Sequence, residues 1–275
     1  MRNKIAIQGF KGCFHQAAAQ HFYGSDIEIV CCSNFRKLVQ AAADPRLSNG
    51  GIMAIENSIA GSILPNYNLL NNSNLRITGE VYLQINQHLL VNPGVQLEEI
   101  TEVHSHPMAL LQCLEFLEKH NWKLIETEDT ALSARNIHEQ GSRHIAGIAG
   151  RLAAELFDLD ILAADIHTQQ YNYTRFWALQ PAELCTEPDD ADKASVNFQT
   201  DHSKGSLAKV LTRIAEGDVN LSKLQSMPIP GSDWKYSFHA DLEFTSKSQL
   251  EAVLEKIKPF TAGIKVHGVY KNGKN

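Results

Sequence analysis

The side chains best suited to chemistry are concentrated in Asn172–Trp177, which combines a hydroxyl, a guanidinium and aromatic rings at the start of the strand-like run 174–179. Alternate residues of a strand share a face, so Asn172, Thr174 and Phe176 are expected to point one way and the residues between them the other. A strand that starts at the mouth of a domain is a common place for a small-molecule site. An edge strand with aromatic packing is the structural alternative, and the rest of the chain decides between them.

Composition and charge restrict the class of protein. A chain of 275 residues is long enough for two or three compact units, and 43% hydrophobic with 20% charged residues is an ordinary globular balance. The net charge of −6, without a block of basic residues, predicts neither a nucleic-acid partner nor a membrane surface. The five cysteines are an odd number without CxxC spacing, which favours reduced thiols and a cytoplasmic location.

Two further segments place polar groups where a predicted strand ends. The loop after strand 4–8 contains Gly9 and Gly12 and opens a helix, and the free N–H groups of such a helix suit an anion, although two glycines in a turn need no ligand. The buried strand 50–55 ends in Glu56-Asn57-Ser58. These three polar side chains fit a site or a capped turn equally well.

Ser105-His106-Pro107 follows the predicted strand 100–103 and precedes an amphipathic helix that is expected to reach about Lys119. His104 and His106 raise the idea of a metal pair. Their i,i+2 spacing at a strand-to-helix junction, without acidic or cysteine companions nearby, argues against it. We therefore predict no metal site and no cofactor.

Strands alternate with helices through most of the chain, which predicts a mostly parallel sheet in each of two lobes. Two crossing segments then indicate a bilobal α/β clamp, with lobe 1 at about 1–75 and 165–180 and lobe 2 at about 76–164. The segment 181–192 reads as a proline-rich, acidic linker. Residues 193–275 show the order βαββαβ of a ferredoxin-like domain, with Ser248 and Glu251 as a capping box on its second helix.

Taken together, these motifs resemble prephenate dehydratase with a C-terminal ACT regulatory domain, and the resemblance covers essentially the whole chain. It depends on Gly9-x-x-Gly12-Cys13-Phe14-His15, Ile55-Glu56-Asn57-Ser58-x-x-Gly61, Ser105-His106-Pro107, Asn172-x-Thr174-Arg175-Phe176 and Gly205-Ser206-Leu207. The resemblance implies an α/β catalytic domain, residues 1–180, with two lobes like those of type II periplasmic binding proteins and the site in the cleft. It also implies a ferredoxin-like ACT domain at 193–275.

The implied reaction converts prephenate, a dianionic cyclohexadiene, into phenylpyruvate with loss of water and carbon dioxide. Aromatisation drives this reaction, so it calls for no cofactor. Arg175 would hold the retained carboxylate, and Phe176 would provide a wall of low dielectric. The remaining implied substrate contacts are Gly12, Glu56, Asn57, Ser58, Ser105, His106 and Asn172.

Thr174 is the proton donor that the resemblance implies. An alcohol is a weak acid, so Thr174 serves only if the proton moves as the C–O bond breaks. His106 or His15 is the alternative acid, because a histidine can be cationic near neutral pH, and Thr174 would then orient the leaving hydroxyl. Glu56 would stabilise such a cation or hold its own turn.

The ACT domain is expected to bind L-phenylalanine as a feedback inhibitor, in a homo-oligomer of even number, a dimer or a homotetramer. The implied effector contacts are Gly205, Ser206, Leu207, Ala208, Asn220, Leu221, Gln225 and Ser226. Where the family usually has Glu-Ser-Arg-Pro, this chain has Gln225-Ser226-Met227-Pro228, which predicts weaker or altered effector binding.

Two other functions remain open from the sequence. Dehydration of arogenate, in which an amine replaces the ketone, would use the same scaffold. A non-catalytic amino-acid sensor would combine a similar clamp with an ACT domain, but it would have no need of Thr174 beside Arg175.

Overall fold

The computed structural model describes residues 2–201, 203–229, 231–232 and 235–274. The chain folds into two compact units: the first contains the residues up to Ser62 together with Val81–Phe176, and the second contains Ile63–Glu80 together with the residues from Trp177 onward. The α/β class predicted from the sequence is confirmed. The catalytic and regulatory boundaries at 180 and 193 are functional assignments and stay predictions.

The elements up to the linker follow the predicted alternation of strands and helices. In chain order they are β1 (Asn3–Gln8), α1 (Phe14–Tyr23), β2 (Ile27–Cys32), α2 (Phe35–Ala43), β3 (Gly50–Asn57), β4 (Gly61–Ser62), α3 (Leu64–Asn71), β5 (Leu75–Gln84), β6 (His88–Val91), β7 (Glu102–Ser105), α4 (Pro107–Gln112), α5 (Leu114–Leu117), β8 (Lys123–Glu126), α6 (Thr130–Gln140), β9 (Ile145–Ala149), α7 (Arg151–Leu156), β10 (Asp160–Ala163) and β11 (Tyr173–Pro181).

The first sheet has the strand order β2-β1-β3-β11-β5, with β4 paired to β3. β1 runs parallel to both β2 and β3, as the alternating pattern predicts. The apolar runs of β1 and β3 are fully buried, which explains why they read as continuous hydrophobic stretches rather than alternating ones. Asn34 caps α2 by accepting the N–H of Lys37 at 2.9 Å, so this helix begins where its side chain replaces the missing backbone acceptor.

The second sheet has the order β10-β6-β9-β7-β8. β7 pairs in parallel with β8 and β9, but β6 is antiparallel to both β9 and β10. The prediction of a mostly parallel sheet is therefore wrong here. The direction of β6 follows from its connection to β7. A parallel arrangement needs a long crossover, usually a helix, whereas this connection contains only a short 3-10 turn at Leu97–Glu99.

The helix predicted to run from Pro107 to about Lys119 is interrupted. α4 ends at Gln112, Cys113 leaves helical geometry with φ −107° and ψ 11°, and α5 covers only Leu114–Leu117. Cys113 is fully buried, and burial raises the pKa of its thiol to about 12. The break thus occurs at a packed position.

The C-terminal elements confirm the ferredoxin-like order. They are β12 (Lys193–Gln199), α8 (Ser206–Ala215), β13 (Asn220–Pro228), β14 (Tyr236–Glu243), α9 (Lys247–Ile257) and β15 (Gly263–Tyr270). The antiparallel sheet has the order β13-β14-β12-β15, and residues of both helices contribute to its apolar core. The capping box predicted at Ser248 is wrong: Ser246 is the N-cap and accepts the N–H of Gln249.

A buried ion pair lies inside the second compact unit. The ammonium of Lys193 is 2.8 Å from a carboxylate oxygen of Glu80, and both side chains are almost fully buried. The same Glu80 oxygen accepts the N–H of Gly273 at 3.2 Å, so the pair satisfies some of its hydrogen-bonding capacity locally. A pair of this kind costs desolvation energy and tolerates the loss of one partner poorly.

Candidate active site

Asn57, Asn172 and Thr174 form a hydrogen-bonded cluster where β3 ends and β11 begins. The Asn57 amide nitrogen donates to the Asn172 side-chain oxygen at 2.7 Å and to the Thr174 hydroxyl oxygen at 3.0 Å. Asn172 and Thr174 therefore share one face, as the strand period predicts.

The orientation of the Asn57 amide is fixed by its other end. Its oxygen accepts the backbone N–H groups of Ile59 at 3.0 Å and Ala60 at 2.9 Å, which closes the turn after β3. Backbone N–H groups can only donate, so this end must be the oxygen and the other end must be the nitrogen. Asn57 therefore caps the turn, one of the two readings that the sequence left open, and it also donates to Thr174; its part in a substrate site stays a prediction.

Ser58 holds the strand start in place. Its hydroxyl donates to the Tyr171 carbonyl at 3.1 Å and accepts the Tyr173 N–H at 2.9 Å, and its own N–H donates to the Tyr173 carbonyl at 2.8 Å. Three contacts with the segment just before Thr174 fix the backbone that presents the hydroxyl. Ser58 therefore positions β11, and its predicted contact with substrate stays a prediction. Glu56, next along the chain, is half-buried, with its backbone paired to Ser62, and its predicted role stays open.

Arg175 follows Thr174 on β11, and the pleat turns it to the opposite face. It is 4% exposed, and its guanidinium lies 5.8 Å from the ring centroid of Tyr82. The structure thus does not bring Arg175 to the face that Thr174 shares with Asn57. A direct contact with the retained carboxylate stays a prediction.

Phe176 is buried on the Thr174 face and packs against His15. The two rings meet edge to face with centroids 5.1 Å apart, and Phe35 lies 5.6 Å from the His15 ring. Phe176 therefore adds buried apolar surface to this part of the first unit, and its predicted role as a wall beside the substrate stays a prediction.

His15 is not the cationic acid considered above. Burial of its ring lowers its pKa to about 3, and its Nε2 accepts the Ala54 N–H at 3.3 Å. A nitrogen that accepts a hydrogen bond carries no proton, so the ring is neutral near pH 7. The sequence could not show that two phenyl rings would enclose this side chain.

The glycine loop has its own hydrogen-bond partner. Gly12, at φ +90°, donates its N–H to the buried side chain of Gln16 at 2.8 Å, and a Cβ at this position would approach the Ala153 backbone to 3.1 Å. Glycine is therefore required for conformation and for space. Gly12 also lines a cavity of about 220 Å³ in the first unit. Cys13 beside it is buried and its pKa is raised to about 12 by burial, which makes it a packing residue.

Ser105 and His106 separate in the structure. Ser105 is fully buried, and its hydroxyl donates to the Ile148 carbonyl at 2.6 Å, which ties β7 to β9. His106 is partly exposed at the start of α4, where its Nδ1 accepts the Met108 N–H at 3.2 Å. His106 is thus the more accessible of the two, and the substrate contacts of both residues stay predictions.

Asp129 is not among the site residues predicted from the sequence. It caps α6, accepting the Leu132 N–H at 2.9 Å, and its other oxygen lies 3.1 Å from where a Cβ on Gly9 would be. Burial raises the pKa of its carboxyl group, while the charge of His106 opposes that rise. A half-buried carboxyl beside the glycine loop, with a raised pKa, is a site candidate that its capping role concealed.

The predicted effector residues are distributed over two elements of the second unit. Gly205, at φ +78°, precedes α8, and Ser206 with Leu207 and Ala208 forms its first turn. The others, Asn220, Leu221, Gln225 and Ser226, lie on β13. Ser206 also lines a cavity of about 320 Å³ with the turn 259–262. At the departure from the family pattern, Met227 is buried, 2% exposed, and the Gln225 amide donates to the Ser226 carbonyl at 3.0 Å.

Among the residues that the structure describes, no group of three or more His, Cys, Asp or Glu side chains is arranged to hold a metal ion. Within the same residues, no helix is long and apolar enough to cross a membrane.

A two-sheet α/β framework with a polar cluster on a strand start, followed by a βαββαβ unit, places this protein among the α/β enzymes. The family model for prephenate dehydratase matches residues 5–183. Arogenate dehydratase 2 of Petunia hybrida is 33% identical over 98% of this chain and 72% of its own length. The chain belongs to the prephenate dehydratase family, which confirms the resemblance drawn from the motifs.

Solved structures agree over the whole chain. The prephenate dehydratase of Arthrobacter aurescens in complex with L-Phe superposes with a TM-score of 0.86 at 25% identity, covering 98% of this chain and 90% of that one. GqqA, described as a novel type of quorum quenching acylase, superposes with a TM-score of 0.88 at 27% identity, covering 98% of both chains. Both similarities include the C-terminal βαββαβ region.

Proposed function

We propose that this protein is a lyase that converts prephenate into phenylpyruvate. Membership of the prephenate dehydratase family supports the reaction. The hydrogen bond from the Asn57 amide to the Thr174 hydroxyl is the observation that carries the mechanism.

The reaction needs one proton and no external electrons. The ring C–O bond breaks, and its electron pair leaves with the hydroxyl, which takes a proton and departs as water. The C–C bond to the ring carboxylate breaks as well, and its electrons complete the aromatic ring while carbon dioxide leaves. The residues must therefore supply a proton at the hydroxyl and must avoid stabilising the carboxylate that is lost.

Thr174 is suited to give that proton because Asn57 donates to its oxygen. Because the Asn57 amide engages one Oγ1 lone pair, the Thr174 hydrogen points away from Asn57 and is available to a substrate oxygen. As the proton leaves, the oxygen gains negative charge, and the amide donor stabilises it. The proton then returns from solvent. Phe176 keeps the neighbourhood apolar, which favours neutral carbon dioxide over a carboxylate.

Dehydration of arogenate is the second candidate, because the petunia relative is named an arogenate dehydratase. The two substrates differ at the side chain, where arogenate has an ammonium group and prephenate a ketone. The proton transfer at the ring would be the same in both. We favour prephenate because the donors nearest to Thr174 are uncharged amides, which suit a carbonyl or carboxylate oxygen better than an ammonium group.

An acylase activity, the description given to GqqA, fits the cluster less well. Acyl transfer by a threonine would need a base that accepts its proton. Thr174 instead accepts a hydrogen bond from the Asn57 amide, and His15 is neutral with its Nε2 already engaged by Ala54. The arrangement stabilises a developing oxyanion but does not prepare a nucleophile.

For regulation, we propose L-phenylalanine as the effector and the C-terminal βαββαβ unit as an ACT domain. Support comes from the Gly205-Ser206-Leu207 motif at the start of α8 and from the L-Phe complex of the Arthrobacter protein. An even-numbered homo-oligomer, dimer or tetramer, completes the proposal. The five free cysteines support a cytoplasmic location, where thiols stay reduced.

The test compares prephenate and arogenate with the purified protein, following phenylpyruvate and phenylalanine as the respective products. We expect a higher kcat/KM for prephenate. Preference for arogenate would favour the second candidate. Tight binding of either compound without turnover would support the sensor hypothesis, and hydrolysis of an acyl amide in place of both reactions would support the acylase.

A further inference from the structure

A cavity of about 340 Å³ in the first unit has two buried polar groups on its lining, Asn172 and His167. Asn172 is 1% exposed and His167 is 3% exposed. The other lining residues are four apolar side chains that are partly exposed, Ile59, Met108, Leu111 and Leu114, and four polar ones, Gln112, Glu115, Thr168 and Gln169. The cavity combines an apolar wall with two polar groups that water scarcely reaches.

Both polar groups have an unused nitrogen. Among the residues that the structure describes, neither the Asn172 Nδ2 nor the His167 Nε2 has a hydrogen-bond partner. Asn172 uses its oxygen to accept from Asn57, which leaves its NH₂ as the unused end. Buried polar atoms in native proteins are nearly always paired, so each of these atoms calls for an explanation.

The His167 nitrogen is a donor as well. The Gln87 N–H donates to its Nδ1 at 3.4 Å, so in the neutral ring Nδ1 is bare and the proton is on Nε2. Asn172 and His167, both on the cavity lining, therefore each have a buried N–H donor without an acceptor among the described residues. Glu115 also lines this cavity, but it is exposed, and solvent screens its charge.

Two such N–H donors beside an apolar wall suit a ligand that has two acceptor oxygens at one end and an apolar body. A 2-oxo acid attached to a ring has this chemistry, with carboxylate and carbonyl oxygens at one end. Asn57 links the donor pair to the proton donor, because its amide bonds both Asn172 and Thr174.

We propose that the His167 and Asn172 N–H groups bind the 2-oxo-acid side chain of the substrate, with His167 as a specificity-determining residue. This inference deepens the proposed function and rests on it. The side chain lies in the apolar cavity while the ring hydroxyl faces Thr174. The sequence did not single out His167, whose only signal was its position five residues before Asn172.

The experiment measures the Kd of phenylpyruvate by calorimetry and the KM and kcat for prephenate. Asn172→Asp keeps the oxygen that accepts from Asn57 but replaces the donor by an anionic oxygen. His167→Leu removes the second donor, and His167→Gln retains an N–H. Asn136→Asp on the half-exposed face of α6, and His138→Leu on the exposed face of that helix, are the matched controls.

We expect Asn172→Asp and His167→Leu to raise Kd and KM by roughly 10- to 100-fold, the usual loss for a hydrogen bond to a charged group. His167→Gln should recover part of that loss, and the controls should stay within about twofold of wild type, the scatter of neutral surface changes. His167→Leu also leaves the Gln87 N–H without its acceptor, so circular dichroism checks that this variant is folded. If His167→Leu does not fold, the isosteric variant Asn172→Asp provides the test.

The failures of the two proposals are distinguishable. Wild-type turnover of prephenate, with Kd and KM unchanged in Asn172→Asp and His167→Gln as well as in folded His167→Leu, would overturn this inference and leave the proposed function standing. Wild-type binding of phenylpyruvate that these variants weaken, without any turnover of prephenate, would overturn the proposed function and support the donor pair.

Discussion

The Asn57 amide donates to the Thr174 hydroxyl oxygen across 3.0 Å, while its own oxygen is held by two backbone N–H groups of the turn after β3. One side chain thus fixes the end of β3 and prepares the hydroxyl at the start of β11. The mechanism depends on the nitrogen end of Asn57, and the local fold depends on its oxygen end. Substitutions that treat the two ends differently can separate these roles.

Asn57→Asp keeps the oxygen that closes the turn and removes the donor to Thr174. An anionic oxygen beside Thr174 would oppose loss of its proton, so kcat should fall roughly 100- to 1,000-fold, the usual loss for an oxyanion donor. Steady-state rates with prephenate measure this effect, and the melting temperature reports the fold. Asn136→Asp is the control for the added charge. A kcat within threefold of wild type would show that the amide donor is not used.

Protein stability should fall in acid because of His15. In the unfolded chain this residue binds a proton below pH 6.5, whereas in the folded state burial holds its pKa at about 3. The stabilisation is complete above pH 6.5 and is lost at about 1.4 kcal/mol per pH unit between 6.5 and 3. Burial also lowers the pKa of His267 to about 3, so His267 should likewise reduce the stability of the protein as the pH falls.

Urea unfolding at pH 7 and pH 5 tests this origin. His15→Leu should be less stable than wild type at pH 7, because the Ala54 N–H loses its acceptor, yet its stability should depend less on pH. The exposed residue His138 provides the control, since His138→Leu should retain the wild-type slope. Equal slopes for wild type and His15→Leu would mean that His15 is protonated in the folded state.

Breaking the buried pair of Lys193 and Glu80 should destabilise the second compact unit. Lys193→Met leaves the Glu80 carboxylate buried without its cation and should cost about 3–5 kcal/mol. Adding Glu80→Leu should recover part of that loss, because no charge is then left buried. Lys258→Met breaks the exposed pair with Glu255 and should cost at most about 1 kcal/mol. If Lys193→Met lowered the free energy of unfolding by no more than Lys258→Met does, this prediction would be wrong.

L-Phenylalanine should inhibit the enzyme. Gly205→Val should raise the half-inhibitory concentration of phenylalanine about tenfold or more, a change within the usual range of allosteric coupling. Gly205 lies in the left-handed region at φ +78°, so a β-branched residue would shift the backbone at the start of α8. Gly141→Val, at φ +59° after α6, imposes a similar strain elsewhere. No calorimetric heat at millimolar phenylalanine with wild type would instead show that the change to Gln225 and Met227 abolishes effector binding.

The sequence predicted the elements well wherever local signals were strong. The alternation of strands and helices up to the linker and the βαββαβ order after it were both predicted, because strand and helix periodicity are local properties. The antiparallel direction of β6 was missed, since strand direction depends on the connection and not on the strand itself.

Side-chain environment was harder to predict than position. The shared face of Asn172 and Thr174 followed from the strand period, and the same period turns Arg175 away from that face. The neutrality of His15 depends on Phe35 and Phe176, which are distant from it in sequence. In the same way, the His167 donor lacks a partner among the described residues because distant parts of the chain bury it. Long-range packing decides these properties, and no local pattern encodes it.

The most direct test of the central claim is the rate of phenylpyruvate formation from prephenate by wild type, Thr174→Ser, Thr174→Val and His106→Ala across the pH range. If the Thr174 hydroxyl delivers the proton, kcat should fall about 100- to 10,000-fold in Thr174→Val, the usual contribution of acid catalysis. Thr174→Ser, which keeps a hydroxyl, should retain part of the wild-type kcat. His106→Ala should leave the shape of the pH profile unchanged. Retention of kcat within tenfold by Thr174→Val, together with loss of the acidic limb in His106→Ala, would contradict the account and make His106 the acid.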